Sequence, residues 1–259
     1  MQRVLADFHV HTLLSPCAEV EMTPHHIVMR AAEFGIGAVA ITDHNASANV
    51  AATIKAGERY GVKIFPGMEV ESIEEAHIVT LFDTMEQLDE WQKIIDAHMN
   101  GLPNNVEKLG AQFVVDEDDE FIREEERMLH GPINLTAAEV VARANDLGGL
   151  TIAAHVDRPA YSILGQLGFI EPDFGFTAAE ISLHGWKKGV HSKLLRLTGF
   201  LPFVTDSDGH TMLDFLQGPK NLLQVEKLTL EEVKLALLHK NERFLEPGKF
   251  SDFCEESYK

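Results

Sequence analysis

Histidines and carboxylates that could hold metal ions recur along this chain at the ends of short apolar runs. His9 and His11 close the run Arg3-Val4-Leu5-Ala6-Asp7-Phe8, which reads as a strand. A strand repeats every two residues, so both imidazoles fall on one face and can serve one ion. His44 follows Val39-Ala40-Ile41-Thr42-Asp43, and Glu69 follows Ile64-Phe65-Pro66-Gly67-Met68, where Pro-Gly is expected to break the strand and turn the carboxylate out. His77 stands at the start of another apolar run, Ile78 to Phe82. His155 follows Thr151-Ile152-Ala153-Ala154, and Asp208 and His210 follow Phe203-Val204-Thr205. Any one of these is weak evidence; as a set, they point to a shared centre for several cations.

The elements that must position these groups alternate between strand and helix, which predicts a parallel β/α arrangement. Thr23-Pro24 supplies an N-cap and a first-turn proline for a helix ending near Gly35, and Ile36–Ile41 returns to strand. Val50–Tyr60 reads as the next helix, closed by Gly61, before a strand over 62–66. Strands are expected at 76–82, 150–154, 179–182, 202–205 and 221–225. Thr84-x-x-Gln87 and Thr136-x-x-Glu139 fit capping boxes for helices running to about His98 and Leu147, and a last helix spans 229–239. Residues 101–135 break the pattern. They hold Pro103, Pro132, an alternating Gln112-Phe113-Val114-Val115 and an acidic run, and are read as an inserted helix and hairpin within one domain of 1–259. A lid over the catalytic end and a plain long connection both remain open.

With 259 residues and 45% apolar content, the chain can bury one large core. No apolar stretch reaches the roughly 20 residues that cross a bilayer. Strand-like sequence begins within three residues of the start, and the expectation is a cytoplasmic protein without a signal peptide. Cys17 and Cys254 are too few for a disulfide framework and are compatible with a reducing compartment; Cys254 is read as a free thiol, and Cys17 is a candidate metal ligand. Forty-one acidic against 22 basic residues give a formal charge of −19, which would repel a phosphate backbone and disfavours duplex nucleic acid as a partner. Eight of the eleven residues from Asp116 to Glu126 are acidic, as expected of a solvated hairpin tip.

Taken in order, Asp7-Phe8-His9-Val10-His11-Thr12, Thr42-Asp43-His44, Pro66-Gly67-Met68-Glu69, His77, Ala154-His155 and Ser207-Asp208-Gly209-His210 resemble the PHP family. This is the polymerase-and-histidinol-phosphatase superfamily of metal-dependent phosphoesterases, and the resemblance covers nearly the whole chain. It implies a distorted (β/α)7 barrel and two or three divalent ions of zinc, manganese or iron. By resemblance, His9, His11, Glu69 and Asp208 hold one ion. Glu69 bridges to a second ion held with His77 and His155, and His44 and His210 serve a third. Glu69, Asp208 and His210 would be the catalytic residues. Many relatives complete the third site with a His or Asp eight residues after the first histidine; here that position is Cys17. A thiolate there would favour zinc, or the third site stays weak or empty.

Imidazole suits these metals, and a bridging carboxylate lets two ions share one activated water. Asp43 is expected to accept a hydrogen bond from a ligand imidazole. Arg158, His184, Lys187 and Lys188 are the candidates for gripping phosphate, Arg158 through its bidentate fork, with surface charge as the other reading. His25, His26, His98, His130, His191 and His239 have no assigned role. Glu71, Glu74 and Glu75 read as a solvated loop. The expected activity is hydrolysis of a small phosphorylated metabolite such as a nucleotide, sugar phosphate or amino-alcohol phosphate. The alternatives are a non-catalytic metal-binding regulatory module and an amidohydrolase-type C–N hydrolase. The sequence leaves the oligomeric state open.

Overall fold

The N-terminal strand β1 (Gln2–Val10) is third from one edge of a nine-stranded mixed sheet, antiparallel to one neighbour and parallel to the other. This computed structural model describes residues 1–250; Cys254 lies outside the described residues. In chain order the remaining strands are β2 (Ile36–Ile41), β3 (Lys63–Glu71), β4 (His77–Leu81), β5 (Phe113–Val115), β6 (Phe121–Glu124), β7 (Leu150–Ala153), β8 (Ala178–Glu180), β9 (Phe203–Val204), β10 (Lys220–Val225) and β11 (Phe244–Lys249). The large sheet runs β11-β10-β1-β2-β3-β4-β7-β8-β9. Its two edges approach each other, with Gly248 N–H donating to Thr205 Oγ1 at 2.6 Å, so the sheet curls into a nearly closed barrel.

The expected α/β barrel architecture is therefore present, but its pairing is mixed rather than parallel throughout. Pro66-Gly67 does not break β3, which continues to Glu71 and turns through residues 72–76 into the antiparallel β4. Five residues are too few for a parallel crossover, so a hairpin is the available connection. Gly67 is needed for close packing: a Cβ there would stand 2.9 Å from the Ile41 carbonyl oxygen. Strand β11 was not foreseen; Pro247 and Gly248 interrupt its apolar pattern, and it pairs only at the sheet edge.

The helices are α1 (Pro24–Glu33), α2 (Val50–Tyr60), α3 (Met85–His98), α4 (Val106–Leu109), α5 (Ala137–Asp146), α6 (Ile163–Leu167), α7 (Leu183–Lys187), α8 (His191–Leu194), α9 (Met212–Gln217) and α10 (Leu230–Leu237). Both capping boxes form, at Thr84/Gln87 and Thr136/Glu139, each satisfying backbone donors that a helix start leaves unpaired. Helix α2 ends on Gly61 in the left-handed conformation, at φ 71°. Strand residues alternate between two cores: Ala38, Ala40, Val79 and Leu81 face one with α10, while Val39, Ile41 and Ile78 face the other with α1, α3 and α5. No helix among the described residues is long and apolar enough to cross a membrane.

The insertion contains α4 and the β5–β6 hairpin, and it is seated firmly on the barrel. Gln112 is fully buried, donating to the carbonyls of Glu125 and Arg127 and accepting from Leu129 N–H. Asn49 clamps β5 through Phe113 O and Val115 N–H. The acidic tip is not simply solvated. Glu117 pairs with Lys55, Asp118 with Arg59, and Asp119 accepts from Thr23 Oγ1 and His25 N–H at the start of α1.

Candidate metal centre

Backbone pairing at one end of the barrel brings the separate sequence segments together. Beyond β1, His11 N–H donates to Gly209 O at 3.1 Å, which lays Asp208-Gly209-His210 beside His9 and His11. Glu69 N–H donates to Thr42 O and Asp43 O, and Asn45 N–H donates to Glu69 O, which fixes His44 beside Glu69. His77 arrives from the hairpin partner of β3. Because β4 runs against its neighbours, its first residue lies at the end where parallel strands finish. His155 and Asp208 stand at φ 28° and 48°, left-handed conformations that side-chain-bearing residues adopt rarely.

Five imidazoles converge on the Glu69 carboxylate. Its Oε1 lies 3.2 Å from His9 Nε2, 3.0 Å from His77 Nδ1 and 3.4 Å from His155 Nε2. Its Oε2 lies 3.3 Å from His11 Nε2 and 3.1 Å from His44 Nδ1. Asp208 Oδ1 stands 3.4 Å from His9 Nε2, 3.5 Å from His11 Nε2 and 3.4 Å from His210 Nδ1. Three sets of donors are close enough to share an ion: His9, His11 and Asp208; His44, Glu69 and His77; and His11, His44 and His210. Glu69 is 1% exposed, and both of its oxygens lack a hydrogen-bond partner, as do His9 Nε2, His11 Nε2 and His44 Nδ1.

Buried polar atoms are rarely left unpaired, and a cation is the partner this donor set fits. The electrostatics agree. Burial alone would lower the pKa of His9, but Glu69, Glu180 and Asp208 raise it well above the usual imidazole value. Burial opposes the same rise at His77, where Glu69 and Glu71 nevertheless lift it to about 9. Burial would raise Glu69 and Asp208, yet the facing imidazoles hold both well below the usual carboxylate range. Protons thus stand where cations would. His210 differs: burial and His11 push it down to about 4.

Several supporting residues escaped the sequence reading. Glu180, at the end of β8, is 1% exposed and lies 2.7 Å from His9 Nδ1. A carboxylate can only accept here, so Nδ1 carries the proton and Nε2 is directed at Glu69 and Asp208. An acidic residue inside the apolar run Ala178-Ala179-Glu180-Ile181 was the available signal. Glu71 is buried rather than solvated, with Oε2 3.7 Å from His77 Nε2, because β3 extends past Glu69. Glu74 also has a structural contact, accepting from Ala137 N–H at the start of α5, while Glu75 is exposed. Asp43 does not touch an imidazole directly. It accepts from Thr12 and from Ser15 Oγ, and Ser15 Oγ lies 3.0 Å from His11 Nδ1.

Cys17 is exposed and stands outside all three donor sets. A cleft of about 620 Å³ opens beside Asp208 and His210, lined by Arg158, His184 and Lys187 but not by Lys188. Arg158 reaches Asp208 Oδ2 at 2.7 Å with 45% of its side chain exposed. Beneath the centre, Lys220 is fully buried 3.0 Å from Asp7 Oδ2, and Asp206 accepts from Phe8 N–H and Asn221 Nδ2.

Residues 7–170 match the PHP domain, well over half of the chain. The chain belongs to the PHP domain family. Curated relatives of this PHP-domain chain include the DNA polymerase III PolC-type of Staphylococcus epidermidis, 30% identical over 139 residues, covering 50% of this chain and 10% of that protein. The 5'-3' exoribonuclease Rnm of Escherichia coli is 36% identical over 76 residues, covering 29% of this chain and 25% of that protein. The chain thus spans a quarter or less of either relative's length. Among solved structures, the lesion-specific endonuclease PfuEndoQ of Pyrococcus furiosus has the same fold, with a TM-score of 0.64 at 22% identity over 94% of this chain and 58% of that one.

Proposed function

We propose that this PHP-domain protein hydrolyses small phosphate monoesters at a centre of two or three divalent ions. The observation that carries this reading is Glu69, a buried carboxylate ringed by five imidazoles and left without hydrogen-bond partners, close to an open cleft bearing a partly exposed arginine. His9, His11, Glu69, Asp208, His77, His155, His44 and His210 would hold the ions. Zinc, manganese or iron suits this donor set, and such ions supply an acidified water and neutralise charge on the phosphoryl group.

The protein's own groups do the rest. Glu180 keeps the His9 proton on Nδ1. The Arg158 guanidinium can offer two parallel donors to phosphate oxygens, a geometry that lysine lacks. His184 and Lys187 line the same cleft, where Lys187 adds positive charge along the substrate's path. His210, depressed to about 4, is neutral at pH 7 and available to ligate.

Cleavage of nucleic-acid phosphodiesters is a second reading, favoured by the fold shared with a lesion-specific endonuclease over 94% of the chain. A formal charge of −19 weighs against it for duplexes. The test is phosphate release by metal-loaded protein from nucleoside monophosphates, sugar phosphates and histidinol phosphate, beside a dinucleotide diester, with Asp208→Asn as the control. Monoester turnover that vanishes in the control supports the proposal. Diester cleavage without monoester turnover supports the second reading, and no turnover with metal present favours a binding module.

A further inference from the structure

We infer that Tyr161 and His130 form a subsite for a planar ring beside the metal centre, so that the substrates are phosphate esters bearing a nucleobase-like group; this rests on the phosphoesterase reading and narrows it. Tyr161 belongs to the loop that also carries His155 and Arg158. Its backbone stands at φ 56°, a conformation costly for an aromatic residue, and its carbonyl accepts His77 N–H at 2.9 Å. The ring stacks on His77, with centroids 5.0 Å apart and planes at 29°, while the residue remains 41% exposed. One face is thus covered by a candidate ligand, while the residue as a whole keeps access to solvent.

His130 comes from the insertion. Its ring lies 5.1 Å from His44 and 6.0 Å from Tyr161, and its buried Nδ1 has no hydrogen-bond partner among the described residues. Asn45 Nδ2 donates to the carbonyls of Leu129 and Gly131, gripping the chain on both sides of His130. Two rings from distant segments are therefore held on the side of the centre formed by His44 and His77, whereas Arg158, His184 and Lys187 line a cleft on the side of Asp208 and His210. A phosphate at the ions leaves the organic part of the substrate to occupy surroundings of this kind. A partly exposed aromatic ring held in a strained backbone conformation is suited to stacking.

Calorimetric binding to the metal-loaded full chain tests this, using adenosine and ribose 5′-methylenephosphonates, whose carbon in place of the ester oxygen prevents turnover. Wild type should bind the adenosine compound roughly tenfold or more tightly than the ribose compound, in line with the stacking of one base. Tyr161→Leu should erase that preference, and Tyr161→Phe should keep it. Metal content and ribose-compound affinity should be unchanged in both. No ring preference in wild type, or one that survives Tyr161→Leu, overturns the inference. A still tighter 5′-phosphonate dinucleotide would keep the subsite and assign its ring to a strand end. Tyr161-dependent ring preference in a protein that releases phosphate from no substrate would sink the phosphoesterase reading but leave the subsite standing.

Discussion

Two acidic regions of this chain hold their charge in opposite ways. At the metal centre, Glu69 is buried, faces only imidazoles and keeps both oxygens orphaned, while Asp208 is buried among imidazoles with Oδ2 on Arg158. At the hairpin tip, Glu117 and Asp118 sit near the surface and are already paired with Lys55 and Arg59. Exposed pairs gain little because water and salt compete for both partners, whereas a buried carboxylate without a partner is costly. The difference shows that an acidic cluster is informative about function only when the fold withholds its counter-charge.

The comparison breaks most visibly at Glu69. Glu69→Gln should lower turnover by more than the roughly hundredfold that losing a residue behind a metal ligand costs, with circular dichroism unchanged. Next comes the buried pair beneath the centre. Lys220→Met leaves Asp7 in the core without its cation, and denaturant titration should show a loss of about 3–5 kcal/mol. Glu180→Gln should cost roughly 10–100-fold in metal affinity, read by competition with a chelating dye, with little change in fold. At the tip, Arg59→Ala should shift Tm by at most about 2 °C, and the difference should disappear in high salt.

Proton linkage sharpens the contrast. In chelated protein, His77 is raised from 6.5 to about 9, so its contribution is complete below pH 6.5 and is lost as pH climbs through 9. Glu125, in the insertion, runs the other way. Arg127 and Arg123 overcome partial burial and lower it to about 2, so its contribution is present above its ordinary value near 4.5 and is lost as pH falls toward 2. Metal needs neutral imidazole, so added metal should raise Tm more at pH 8.5 than at pH 6.5. Equal gains at both values would contradict this picture of His77.

Much of the centre was legible because each gathered group lies near the end of a strand or shortly beyond it, and a barrel collects strand ends at one rim. The position of His77 at the start of its strand already points to a β4 that runs backward. Other features depend on contacts no local pattern encodes. Glu180 reaches His9 only because the fold brings the end of β8 to the end of β1. Glu71 is buried only because Pro66-Gly67 lets β3 continue. The acidic tip looks solvated until α1 and α2 supply its partners. Cys17 occupies the family's ligand position by count, and its loop leaves it exposed and outside the three donor sets.

The most direct test of the central claim is metal content by mass spectrometry, on wild type and Glu69→Gln purified in parallel and reloaded with zinc, manganese or iron. Wild type should hold two or three ions tightly per chain, and Glu69→Gln at least one fewer at equal fold content. Wild type that retains no ion from any of the three metals, while remaining folded, would contradict it.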